Sequence, residues 1–120
     1  MNSEKELTLI RDYITLPIAI TIVNKNRIEL KESQYTLRSL YAATATVIIN
    51  KMRNDLETIR RQLNELHISV INTKEKKDED SVYFPYLYRG QRCEFTLERE
   101  VAKQDIRTKL NNYINEVIKI

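Results

Sequence analysis

The chain has 120 residues, 42% of them hydrophobic and 31% charged, and its 20 basic and 17 acidic side chains leave a net charge of +3. That is the length of one ordinary domain, with enough apolar material to bury a core. A single Gly, a single Cys and a single His exclude Gly-rich phosphate loops, dinucleotide fingerprints, zinc fingers, iron–sulfur centres and an internal disulfide.

In chain order, Ser3 and Glu6 have the spacing of a capping box, in which each side chain satisfies an orphan backbone N–H of the other. Leu7, Ile10 and Ile14 follow at helical spacing. Pro17 has no N–H to give and crowds the preceding turn, so a kink or stop is expected near Thr15. The stretch 13–23 is rich in Ile, Thr and Val, which suit a strand, yet its apolar residues do not alternate; it reads as helix. At 11 residues it is also too short for a span of roughly 20.

Residues 35–66 contain no Gly or Pro. Leu37, Tyr41, Thr44, Ile48, Met52, Leu56, Ile59, Leu63 and Leu66 recur every three or four residues, the stripe of one long amphipathic helix. Two β-like runs come next, 67–73 and 81–89, joined by a self-neutralising charged segment, 74–80, that fits the exposed tip of a hairpin. Pro85 cannot donate to a ladder, which suggests an edge strand. Gly90 marks the turn that ends the second run. Thr96 is the expected cap of a last helix over 97–120, with the stripe Ile106, Leu110, Tyr113, Val117 and Ile120. The fold class expected is mainly α (α+β): one domain of a kinked N-terminal helical segment, one long helix, a β-hairpin at about 67–90 and a long C-terminal helix. The two long helices should pair antiparallel, and their surplus apolar surface should be covered by a homodimer or another protein.

Few residues carry chemistry. His67 has no second His to complete a metal or base site and fits a helix end. Cys93 beside Arg92 has no base near it in sequence and reads as a partly buried loop residue. The run Tyr83-Phe84-Pro85-Tyr86-Leu87-Tyr88-Arg89 is the most unusual composition in the chain. Alternation sends Phe84, Tyr86 and Tyr88 to the core and leaves Tyr83 and Leu87 as an exposed patch. Tyr83, Leu87, Tyr88 and Arg89 are therefore the candidate partner-binding residues. The alternative is a winged-helix-like, nucleic-acid-binding regulator using Arg60, Arg61, Lys76, Lys77 and Arg89. Against it, the long stripe shows no helix–turn–helix break, and the surplus of positive charge is spread along the chain.

Four segments carry a resemblance: Leu16-Pro17-Ile18-Ala19-Ile20-Thr21-Ile22-Val23, Asn54-Asp55-Leu56, Tyr88-Arg89-Gly90 and Ile106-Arg107-Thr108-Lys109. In order and spacing over residues 13–118 they resemble the YhjD-like family of small proteins of spore-forming bacteria and their phages and prophages. The chain departs from that pattern at Ala42, Ala43 and Ala45, which make the long helix's surface smaller, and after Gly90, where an aromatic, Pro-rich helix entry is missing. The resemblance implies a small cytoplasmic protein and brings no activity with it. The lone Cys and the absence of an export signal point to the same compartment. The reading is a non-catalytic adaptor or modulator that binds a protein partner or itself through its helices. It needs no cofactor, small-molecule substrate or membrane.

Overall fold

The computed structural model describes residues 3–34, 36–71 and 76–118, with the side chains of Lys76 and Lys77 outside the description. Helix α1 runs Glu4–Glu32, α2 runs Arg38–Glu65, and α3 runs Arg99–Val117. Four strands separate α2 from α3: β1 (Ile68–Val70), β2 (Lys76–Lys77), β3 (Ser81–Tyr88) and β4 (Gln91–Glu98). The expected hairpin tip at 72–75, Tyr35 at the start of the long helix and Ile120 in the last stripe lie outside the described residues.

The capping box of α1 is present in both directions. Glu6 donates its backbone N–H to Ser3 Oγ at 3.2 Å, and Ser3 donates its own to Glu6 Oε1 at 2.8 Å. The expected stop at Pro17 does not occur, because α1 continues through it for another four turns. Pro17 removes one rung of the helix, but the next residues are held by tertiary packing. Leu16 and Ala19, on either side of it, are 1% and 0% exposed against Ile48, Ile49 and Met52 of α2. Burying Leu16 is worth roughly 1.5–3 kcal/mol and the Ala19 methyl about 0.8, which together offset much of a lost rung.

The sheet differs from the expected hairpin in three ways. First, it has a further strand, β4, in the segment expected to lead straight into the last helix. Cys93, Phe95 and Leu97 alternate there with Arg92, Glu94 and Thr96, and the inward three pack on the core. Thr96 is thus a strand residue, Glu98 takes the N-cap position of α3, and no side chain caps that helix. Second, β3 is central, pairing antiparallel with β1 and β2 on one side and with β4 on the other. Third, Pro85 therefore sits inside the sheet. Its missing donor is harmless for a geometric reason. The β3–β4 turn is the two-residue Arg89–Gly90, both at positive φ (52° and 87°), so Tyr88 and Gln91 form a hydrogen-bonded pair. Counting back by twos, the Pro85 nitrogen faces away from β4, on the side of β1 and β2. There Pro85 needs only its carbonyl, which accepts from Ile71 N at 3.0 Å.

Two clusters form the core. Ile10 and Ile14 of α1 meet Leu63 at the end of α2 and the inner face of the sheet, Ile68, Val82, Phe84, Tyr86 and Leu97. Further along, Leu16 and Ala19 meet Ile48, Ile49 and Met52, with Ile106, Leu110, Tyr113 and Val117 of α3 laid against them. The main helical pair is therefore α1 with α2, antiparallel, and not α2 with the last helix. α3 packs on both as the third member, and none of its residues is fully buried. The molecule is elongated, 53 × 33 × 20 Å, because the α1–α2 pair extends beyond the sheet.

Replacing Pro17 by Ala restores the missing N–H without disturbing a helical backbone. Pro17→Ala is expected to raise unfolding stability by about 1–3 kcal/mol, measured as a higher urea midpoint at unchanged slope.

Candidate interaction surface

The candidate residues on β3 separate onto the two faces of the sheet. Val82, Phe84 and Tyr86 are buried and Tyr88 is half-buried against the core, as the alternation requires. On the outer face lie Tyr83, Pro85 and Leu87. Tyr83 is half-buried and its hydroxyl donates to Asp78 Oδ2 at 2.6 Å. That hydrogen bond, with a smaller contribution from burial, pushes the Tyr83 phenol above its ordinary value. Leu87 is exposed, and the exposed Ile71 is joined to the same face through its bond to Pro85. The Arg89 guanidinium lies 5.0 Å from the Tyr88 ring centroid, a cation–π contact at the tip of the hairpin.

Arg60 and Arg61 share one carboxylate. Arg60 reaches Glu57 through two nitrogens, at 3.0 and 2.5 Å, and Arg61 approaches it at 3.8 Å. The Arg60 hydrogen bond holds the Glu57 carboxyl below its ordinary value, and the same bond pushes Arg60 up. Arg60 also borders a groove of 230 Å³ between α1 and α2, with Tyr13, Pro17, Arg53, Leu56 and Glu57. Lys76 and Lys77 enter the structure only through their backbone pairing with Tyr83 and Val82.

His67 lies at the helix end where it was expected, and Cys93 does not lie in a loop. His67 ends α2 with its backbone, at a φ of 57°, donating to the Asn64 carbonyl and accepting from Arg89 N at 2.9 Å. Cys93 is a half-buried strand residue, not a loop residue. Its position on β4 points it to the core, opposite to Arg92. Among the described residues no three His, Cys, Asp or Glu side chains come together as a metal site.

The uncovered part of the helical surface, whose residues the sequence pattern did not single out as such, lies on α2. The last turns of α3 lie against one face of that helix, held by the Tyr113 hydroxyl donating to Asp55 Oδ2 and by Lys51 to Glu116 at 3.4 Å. On α1 its clamp is Asp105, whose carboxylate meets Lys109 at 2.7 Å, Thr15 at 3.0 Å and Arg11 at 4.0 Å, while Lys109 also reaches Asp12 at 2.8 Å. α3 ends at Val117, opposite Lys51. The same face of α2 continues for three more turns with Val47, Thr44, Tyr41, Leu40 and Leu37. Leu37 is 50%, Leu40 58%, Tyr41 47% and Val47 46% exposed. Ile114 and Ile118 at the end of α3 are exposed as well. No charged side chain interrupts the stripe from Leu37 to Val47 at these positions. Scattered exposed leucines are ordinary, but a contiguous stripe on one helix face is the mark of a contact surface.

The architecture is that of a mainly helical α+β protein, a helical hairpin with an antiparallel sheet at one end. The chain belongs to the YhjD family: the family model described as YhjD protein matches residues 1–118. No curated protein and no solved structure matches the chain. Among the described residues no helix is long and apolar enough to cross a membrane.

Burial, and after it the hydrogen bond to Asp55, push the Tyr113 phenol far above its ordinary value. The folded state therefore keeps this proton above about pH 10, where the unfolded chain loses it. Its contribution to stability is complete below that pH and falls as pH rises further. Tyr113→Phe is expected to flatten the loss of stability between about pH 10 and 11, the first pH step above the unfolded value, in denaturant titrations at each pH. Tyr83 and Tyr86, both shifted upward, leave a residual slope.

Proposed function

We propose that this protein is a non-catalytic adaptor or modulator that binds a partner protein through the open face of α2. The observation that supports the reading is the stripe Leu37, Leu40, Tyr41 and Val47, left uncovered where α3 stops. The occupant that fits is an amphipathic helix with an uncharged apolar face. α3 is itself such a helix, and it occupies the adjoining half of the same surface. Helix-in-groove recognition uses anchors at i, i+3, i+4 and i+7, and Leu37, Leu40, Tyr41 and Thr44 present the matching row. A large aromatic among leucines is the usual centre of such an interface, so Tyr41 is its expected hot spot. The outer sheet face with Leu87 and Arg89 is a second contact area in this reading, smaller because Tyr83 is tied to Asp78. The protein acts in the cytoplasm of a spore-forming bacterium or one of its phages, and no catalytic chemistry or cofactor is part of the proposal.

The test is a photo-crosslinking amino acid placed at Tyr41 and, as a control, at Asn50 on the opposite side of α2, in cells of the native host. A discrete protein adduct from position 41, absent from position 50 and lost in Leu40→Glu, is expected. Identical adducts from both positions would contradict the reading.

A further inference from the structure

β4 is an edge strand of eight residues whose ladder partner, among the described residues, is β3 alone. Edges of that length are templates for pairing with another chain, and proteins blunt them with Pro, a bulge, a short strand or charged side chains. β4 has no Pro or Gly, and its register with β3 is unbroken from Ser81–Glu98 to Tyr88–Gln91; its exposed charges, Arg92, Glu94 and Glu98, are of both signs, so they bar some pairings and favour others. The two-residue turn makes Gln91, Cys93, Phe95 and Leu97 the residues that exchange hydrogen bonds with β3. The backbone N–H and C=O groups of Glu94 and Thr96 therefore point away from β3, outward from the sheet.

The side chains of β4 select what can pair there. In an antiparallel pairing with a second copy, a two-fold axis at Glu94 would set the two Glu94 carboxylates opposite each other. An axis at Thr96 would set Glu94 against Glu98 twice. Like charges directly opposite are destabilising. An axis at Phe95 sets Arg92 against Glu98 of the second copy, twice, and Glu94 against Thr96, with no like pair. It also matches outward backbone groups with outward backbone groups over residues 92–98. An axis at Cys93 pairs Arg92 with Glu94 but overlaps only residues 91–95, because Gly90 turns the chain away. The strand is thus self-complementary in charge about one position.

We propose that β4 is the seam of a homodimer, pairing antiparallel with β4 of a second copy about a two-fold axis at Phe95. The two sheets then join into one, and the open faces of both α2 helices stay available. This goes beyond the adaptor reading and does not depend on it.

The test is sedimentation velocity of the full chain across a concentration series. Wild type is expected to show a concentration-dependent dimer. Arg92→Glu and Glu98→Arg, each alone, oppose like charges twice across the seam and should weaken the dimer about tenfold or more, since each two-fold interface carries the change twice. The double reversal Arg92→Glu/Glu98→Arg restores the dimer, which an axis at Cys93 would not allow. Thr96→Pro removes an outward N–H without touching the β3 ladder and is expected to abolish dimerisation, with its circular dichroism spectrum checking the fold. A strictly monomeric wild type, or single reversals that dimerise as wild type does, would overturn the proposal. So would loss of the dimer in Leu40→Glu with both reversals unaffected, which would assign self-association to α2.

Discussion

The contact of Leu16 and Ala19 with Ile48, Ile49 and Met52 fixes everything else in this molecule. It joins two helices of 29 and 28 residues into an antiparallel pair about 42 Å long, at 1.5 Å per residue. A third helix of 19 residues spans only about 28 Å and cannot cover that length. The small residues Ala19, Ala42 and Ala45, all buried, let the backbones of the pair approach along its length. The sheet takes one end through Ile10, Ile14 and Leu63, and α3 takes the middle. The far end of α2 is left with apolar side chains about half exposed among the described residues.

α3 is held differently from the helices beneath it. None of its residues is buried, and its firmest attachments are polar: Asp105 and Lys109 to Arg11, Asp12 and Thr15, and Tyr113 to Asp55. Partly buried charge pairs return less free energy than apolar packing once desolvation is counted, but they fix direction and register well. α3 is accordingly the element expected to open first, while α1 and α2 carry the global stability. Its position also sets the border of the exposed stripe. An element that is both weakly held and next to an open apolar face is well placed to adjust when that face is covered.

Much of this was legible in the sequence, for identifiable reasons. The Ser3–Glu6 box, the continuous stripe through Ile48, Met52 and Leu63, the inward side of Phe84 and Tyr86 and the turn at Gly90 each follow from one local rule. Periodicity showed which face of α2 is apolar, but not where its cover would end, since that depends on where α3 lands. The alternation of Cys93, Phe95 and Leu97 was present in the sequence. It was obscured by Thr96 and the acidic residues after it, which imitate a helix start. Pro17 does not stop α1, and Pro85 does not mark an edge strand. Each lacks a donor, but Leu16 and Ala19 hold α1 together around the first, and the second faces the stretch between β1 and β2, where its carbonyl still accepts from Ile71 N. A residue's intrinsic preference is outweighed wherever its neighbours supply the missing interaction.

The central claim is that the Leu37–Val47 face of α2 is a protein-binding face. Hydroxyl-radical footprinting, comparing the purified chain with the same chain inside native host cells, measures its solvent exposure directly. The account predicts that Leu37, Leu40 and Tyr41 label strongly in the purified protein and are protected in cells, while Ile71 and Leu87 change less. Equal labelling of Tyr41 in both settings would contradict it.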